Sequence, residues 1–90
     1  MKSQEVEIEL KKMIIDRLRL SVPLEEFKSD TDLFGPNSAF DLDSIDALEI
    51  TLGMEETFHF HIDEREIGKN QFKNVQTLSE FVLKKLSTST

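Results

Sequence analysis

The chain has 90 residues, a net charge of −7 and no cysteine, so it is predicted to be one small domain without disulfides or thiolate metal sites. No stretch approaches the ~20 apolar residues of a membrane-spanning helix, and the charged N-terminus lacks a signal peptide's apolar run, which predicts a cytoplasmic location. Residues 41–66 hold nine acidic residues and one basic residue. This charge argues against nucleic acid as a partner and favours partners with basic patches, unless it only solvates the surface.

The first and third helices are predicted from apolar residues at helical spacing. The first runs from about residue 3 to residue 20 and ends before Pro23, which disfavours its continuation. The third follows Thr77, which forms a predicted capping box with Glu80. Its apolar stripe contains Leu78, Phe81, Val82 and Leu86.

The second helix is predicted over about residues 43–59 and has two adjacent apolar lines. One line is Ile45, Leu48 and Leu52. The other is Ala47, Ile50, Met54 and Phe58. Together they are expected to form one broad inner face. The remaining strip, expected to face solvent, contains Asp46, Glu49, Gly53 and Glu56.

Two connections complete the predicted fold. Residues 21–42 form a long loop between helices 1 and 2, and its apolar residues are expected to pin it onto the bundle: Leu24, Phe27, Leu33, Phe34 and Phe40. Residues 61–74 are expected to hold a short helical turn at 64–67. With no strand pattern evident, the sequence predicts an all-α, four-helix bundle of three main helices and one short helix.

The whole chain, residues 1–90, is expected to be one monomeric domain. Its core spans about 4–86, and residues 87–90 are expected to be a frayed tail.

One serine lies where the long loop becomes the second helix, in the segment Asp41-Leu42-Asp43-Ser44-Ile45-Asp46. A helix N-terminus would present Ser44 on a rigid, exposed element, and its dipole would favour a negatively charged phosphodiester. Serine and aspartate are also common N-caps, so a simple capping role for Ser44 or Asp43 is the more frequent explanation of these residues alone.

The segment Asp43-Ser44-Ile45-Asp46 resembles the Asp-Ser-Leu signature of acyl carrier proteins. The helix after it is similar to the family's second helix in its apolar content and in Glu55, Glu56 and Phe58 near its end. Residues 72–78 resemble the family's approach to its last helix, and Asp32-Leu33-Phe34 resembles its aromatic-anchored loop. The resemblance covers nearly the whole chain.

The resemblance implies that Ser44, with Asp43 beside it, is esterified to 4′-phosphopantetheine by a phosphopantetheinyl transferase that uses coenzyme A. The arm's thiol would hold acyl intermediates as thioesters for fatty acid, polyketide or related lipid biosynthetic enzymes. The protein would then be a carrier and not an enzyme, with neither catalytic residues nor a metal.

The resemblance also implies two surfaces on the second helix. Basic patches of transferases and synthases would dock on its acidic residues, Asp46, Glu49, Glu55 and Glu56, beside Asp43. A pocket for the acyl chain would be lined by Ile50, Leu52, Met54, Phe58 and Ile62. For each of these five, simple core packing is the alternative.

The chain also departs from the family pattern. Ile45 replaces the usual leucine, the loop at 34–40 is long, and Asp63 stands where proline is frequent. These departures indicate a specialised, stand-alone carrier, and neither the load nor the pathway follows from the sequence.

Other functions fit the sequence less well. Loops starting at Asp30 or Asp41 fail the calcium-ligand pattern of an EF-hand. A hydrolase is disfavoured because Ser44 lacks a Gly-x-Ser-x-Gly context and His59 would lie about 22 Å along the helix from it. The open alternatives are an acidic interaction module that is never modified, and a carrier of aminoacyl groups such as D-alanine.

Overall fold

Three α-helices and one 3₁₀ turn form the regular structure of this computed structural model, which describes residues 2–36, 38, 40 and 42–88, except the side chain of Thr88. Helix α1 is Ser3–Leu18, the 3₁₀ turn is Leu24–Glu26, α2 is Ser44–Phe58 and α3 is Val75–Thr88. The described part of the chain contains no strand. The predicted all-α class with three main helices is therefore confirmed.

Helix α1 packs against both α2 and α3. It contributes three fully buried side chains at helical spacing, Val6, Leu10 and Ile14. They meet buried side chains of the other two helices: Ile50 and Met54 of α2, and Val75, Leu78 and Val82 of α3. This core fills the interior between the helices, so what remains for function lies on their outer faces and at their ends.

Gly53 sets how closely α1 and α2 approach each other. It is buried, and a Cβ atom built on it would lie 2.9 Å from Cγ of Met13 and 3.0 Å from Cδ of Arg17, with Sδ of Met13 closer still. Real Cβ atoms essentially never come within 3.0 Å of another heavy atom, so Met13 would have to move to admit one. The strip that carries Gly53 therefore faces α1, and the prediction that it faces solvent is wrong at this residue.

Helix α3 begins earlier than the predicted cap at Thr77. Asn74 is the capping residue: its side-chain oxygen accepts from the Thr77 N–H at 2.9 Å, and Thr77 Oγ1 accepts from the Asn74 N–H at 3.1 Å. Asparagine caps as well as threonine does, and the earlier start places Val75 in the core with no exposed surface. Glu80 is exposed in the body of the helix.

The short helical element is not where it was predicted. Around residues 63–66 the chain makes a single turn, closed by the Glu66 N–H on the Asp63 carbonyl at 2.9 Å and by the Asp63 N–H on Glu66 Oε2 at 2.7 Å. These contacts satisfy the turn locally, and a second turn follows at Gly68, whose carbonyl accepts from the Gln71 N–H at 3.0 Å. The 3₁₀ turn lies instead at Leu24–Glu26.

The long loop is pinned onto the bundle as predicted. Phe27 and Leu33 are buried, and the Leu33 N–H donates to the Lys73 carbonyl at 3.0 Å. The ring of Phe34 meets that of Phe72 edge to face, with centroids 5.9 Å apart. The loop is thus held to the segment that leads into α3.

Residues 87 and 88, predicted to fray, belong to the last turn of α3, whereas 89 and 90 lie outside the described residues. None of the described helices is long and apolar enough to span a membrane.

Replacing Gly53 by valine should lower the free energy of unfolding by about 1–3 kcal/mol, because the added carbons overpack the contact with Met13 and Arg17. Urea unfolding followed by circular dichroism measures the change. The matched control is Leu52→Val, one residue away and partly exposed, which should shift stability by about 0.5 kcal/mol or less. Equal effects of the two substitutions would contradict the close approach at Gly53.

Candidate functional site

Ser44 is the first residue of α2 and is exposed. The capping role belongs to Asp43, whose Oδ1 accepts from the N–H groups of Ile45 at 3.0 Å and Asp46 at 3.2 Å. Asp46 completes the box by accepting from the Asp43 N–H at 3.0 Å. No hydrogen bond joins the Ser44 hydroxyl to another described residue. Of the two capping candidates, only Asp43 caps, and the Ser44 hydroxyl is left for chemistry.

This cap also changes how α2 can receive an anion. Two N–H groups at its N-terminus already donate to the Asp43 carboxylate, so they are not free for a phosphate attached at Ser44. The N-terminus of α2 therefore offers such a phosphate fewer free donors than an uncapped helix would. Asp41, part of the segment that singled out this site, lies outside the described residues.

A groove of about 910 Å³ opens beside Ser44. One side consists of the long loop and the start of α2, the other of the segment before α3. The lining residues are Asp32, Phe34, Gly35, Leu42, Asp43, Ser44 and Ala47 on the first side, and Gly68, Lys69, Asn70, Phe72 and Lys73 on the second. The groove thus combines apolar surface with two lysines, Lys69 and Lys73, which are both exposed. The sequence pattern around Ser44 did not indicate the second side, because the loop and the segment meet only in the fold.

The turn at residues 63–66 precedes the second side of this groove and is tied to α3. Glu66 accepts from Lys85 Nζ at 2.9 Å. Hydrogen bonds from the Asp63 N–H and then from Lys85 lower the pKa of Glu66, and those from the Arg65 side chain and N–H lower the pKa of Asp63. Both carboxylates therefore stay charged to a more acidic pH than usual.

The five predicted acyl-pocket residues do not line the groove beside Ser44. Four of them are buried in the close-packed core: Ile50, Met54, Phe58 and Ile62. Leu52 lies apart from these four, with 38% of its surface exposed on the outside of α2. The apolar part of α2 is wider than the part that its neighbours cover, and Leu52 falls in the uncovered part.

Each of the four predicted docking acids already has a partner within the chain. Asp46 belongs to the capping box. Glu49 and Glu56 both bind the guanidinium of Arg17, at 3.0 Å from its Nε and 2.8 Å from its Nη1. Glu55 accepts from the Ile62 N–H at 2.7 Å and lies 3.1 Å from His61 Nδ1.

The charge of Arg17 is stabilised by this arrangement. Burial by itself would lower the pKa of Arg17, but hydrogen bonds to Glu49 and Glu56, together with their negative charges, outweigh it. The pKa of the guanidinium is therefore raised above its ordinary value. Glu49 and Glu56 belong to the same strip as Gly53. Their ion pairs with Arg17 join this strip to α1, so the two side chains do not face solvent alone.

An apolar stripe on α2 takes the outward position instead. We call Ile45, Leu48 and Leu52 the outer stripe; their exposed fractions are 70%, 59% and 38%. This line was predicted to lie on the inner face of α2, and that prediction is wrong. Gly53 is the sequence feature that bears on this placement, since a glycine inside a helix costs about 1 kcal/mol relative to alanine and can permit a neighbour to pack closely.

Within the described residues, no group of three or more His, Cys, Asp or Glu side chains could hold a metal ion. His59 caps the far end of α2 with a left-handed conformation, φ 60°, and its N–H donates to the Glu55 carbonyl at 2.9 Å. It is thus separated from Ser44 by the full length of the helix.

Comparison with known proteins gives two matches. The family model of the phosphopantetheine attachment site matches residues 9–82. The fold is similar to a solution NMR structure of a holo acyl carrier protein from Nitrosomonas europaea, with a TM-score of 0.74 and 28% sequence identity, covering 89% of this chain and 95% of that one. No curated protein sequence matches significantly.

Proposed function

The chain belongs to the phosphopantetheine-attachment family of carrier proteins, and we propose that Ser44 is the residue to which its arm is attached. The observation that carries this proposal is the division of roles at the start of α2. Asp43 caps the helix, while the neighbouring Ser44 is exposed and its hydroxyl has no hydrogen bond to another described residue. Esterification of Ser44 would therefore leave the helix cap in place.

The groove beside Ser44 fits the chemistry of a 4′-phosphopantetheine arm. Phe34 and Phe72 would pack against its apolar parts, and Asn70 would hydrogen-bond its amides. Lys69 and Lys73 would offset the phosphodiester charge, which the carboxylate of Asp43 otherwise repels. When bound, the arm supplies a terminal thiol that holds a carried group as a thioester.

We propose that the carried group is an acyl intermediate of fatty acid, polyketide or related lipid biosynthesis. The apolar residues of the groove favour a hydrocarbon load over a polar one, and the protein acts as a carrier and not as an enzyme. Ile50, Met54, Phe58 and Ile62 would shelter the far end of a long chain only if the helices moved apart, because these side chains are tightly packed.

We further propose that the transferase and the acyl-chain enzymes dock on the outer stripe. It runs about 10 Å along α2 from the residue next to Ser44 and presents Ile45, Leu48 and Leu52 to solvent. Asp43 and Asp46 lie at the end of the outer stripe nearest Ser44. A partner with an apolar groove and basic residues at its rim fits this surface, since an apolar centre supplies affinity and charge supplies orientation.

Incubation of the apo-protein with coenzyme A and a phosphopantetheinyl transferase should add one phosphopantetheine, seen by intact-mass spectrometry. Ser44→Ala should abolish the gain, because no other hydroxyl occupies the start of α2. Ser21→Ala, at an exposed serine in the long loop, should be modified like the wild type. Modification of Ser44→Ala would refute the attachment site. A wild type that several transferases leave unmodified would favour the noncovalent interaction module.

Leu48→Gln should raise the KM of the transferase about 10-fold with little change in kcat, which corresponds to the ~1.4 kcal/mol of a buried interface contact. Stability should hold, since Leu48 is 59% exposed. Ile8→Gln is the matched control, because Ile8 is a 44% exposed apolar residue on α1, away from the outer stripe. Equal KM values for the two variants would exclude the outer stripe as the docking surface.

A further inference from the structure

We propose that Arg17 is a specificity-determining residue, which occupies the carboxylates of Glu49 and Glu56 and so directs partner enzymes to the outer stripe. The inference rests on the proposed function, because it concerns how partners of the carrier dock beside Ser44. It assigns a role in partner choice to a residue of α1, although the docking helix is α2.

The contacts of Arg17 place its guanidinium between two turns of α2. Its Nε lies 3.0 Å from Glu49 Oε2 and its Nη1 lies 2.8 Å from Glu56 Oε2. The two glutamates are seven residues apart, so they stand on one side of the helix, two turns from each other. One guanidinium therefore engages both carboxylates at once.

Gly53 makes this arrangement possible. It lies between Glu49 and Glu56 on the same strip, and a Cβ atom on it would be 3.0 Å from Cδ of Arg17. The stem of Arg17 thus passes over the helix where a side chain is missing. The side chain of Arg17 is 29% exposed, while those of Glu49 and Glu56 are 42% and 68% exposed. Another protein can therefore reach both carboxylates.

Glu49 and Glu56 differ from the other acids of α2 in the kind of partner they have. Asp43 and Asp46 bind each other's backbone N–H groups, and Glu55 binds the Ile62 N–H and lies beside the imidazole of His61. Those contacts belong to helix ends and turns. Only the pair at Arg17, among the described acids of α2, is held by a guanidinium, the same group that a basic partner would offer.

A guanidinium of the partner would compete with that of Arg17 for the same two carboxylates. A partner arginine that binds Glu49 or Glu56 must displace Arg17, and the exchange replaces one guanidinium–carboxylate pair by another with little net gain. A partner that docks through an apolar groove on Ile45, Leu48 and Leu52 meets no such competition. Since exposed ion pairs are weak, Arg17 should shift the preference between the two kinds of partner rather than exclude one.

The test compares Arg17→Gln with Lys12→Gln, measuring kcat/KM for modification at Ser44 by a transferase whose docking surface presents arginines. Both substitutions remove one positive charge from α1, and Lys12 is exposed. Arg17→Gln should raise kcat/KM about 3- to 10-fold over Lys12→Gln, through KM, the range that two released surface ion pairs allow. At roughly 0.5 M salt the gain should disappear, because exposed charges are then screened.

Two further variants make the result specific. Arg17→Met keeps an apolar stem over Gly53 and should give the same gain as Arg17→Gln, even if the latter is destabilised. Adding Glu49→Gln and Glu56→Gln to Arg17→Gln should remove the gain, since the released carboxylates are its source.

The outcomes separate this inference from the proposed function. Equal kcat/KM for both Arg17 variants and Lys12→Gln, with normal modification at Ser44, would overturn the role of Arg17 and leave the carrier function standing. A gain that survives removal of both glutamates would also overturn it. Failure of the wild type to be modified would instead refute the proposed function.

Discussion

The contact of α1 with α2 at Gly53 is the constraint on which the arrangement of this protein depends. With no side chain on Gly53, Met13 and Arg17 lie directly over the backbone of α2. This contact sets the rotation of α2 about its axis. Once that rotation is set, Ile50 and Met54 are buried, Glu49 and Glu56 meet Arg17, and the outer stripe of Ile45, Leu48 and Leu52 faces solvent.

The site at the start of α2 depends on the same rotation and on the separate roles of Asp43 and Ser44. Asp43 caps the helix, so the next residue, Ser44, has no capping role, and it lines a groove. The segment before α3 forms the other side of that groove. Backbone hydrogen bonds hold it to the long loop, such as the one from the Leu33 N–H to the Lys73 carbonyl at 3.0 Å. An exposed hydroxyl, a groove with two lysines and an adjacent apolar stripe together suit a residue that carries a flexible arm between enzymes.

The sequence predicted what depends on neighbouring residues and missed what depends on packing. The ends of α2 were predictable because both depend on residues close in sequence. Asp43 caps its start, and the N–H of His59 closes its last turn on the Glu55 carbonyl. The start of α3 was not, because two capping pairs overlap there and the burial of Val75 favours Asn74 over Thr77. Ser44 was singled out by its motif. The predicted inner face of α2 was right for Ile50, Met54 and Phe58 and wrong for the outer stripe, since periodicity defines faces but not how much of a face a neighbour covers.

The central claim, that Gly53 faces α1 and the outer stripe faces solvent, can be measured directly by NMR on the apo-protein. We expect a nuclear Overhauser effect between the Met13 methyl and the Gly53 α-protons, and strong attenuation of the Leu48 methyl signals by a soluble paramagnetic probe. The methyl groups of Ile50 should be protected from the same probe, because Ile50 is fully buried. Protected Leu48 methyls together with no contact between Met13 and Gly53 would mean that α2 is rotated, and would contradict the account.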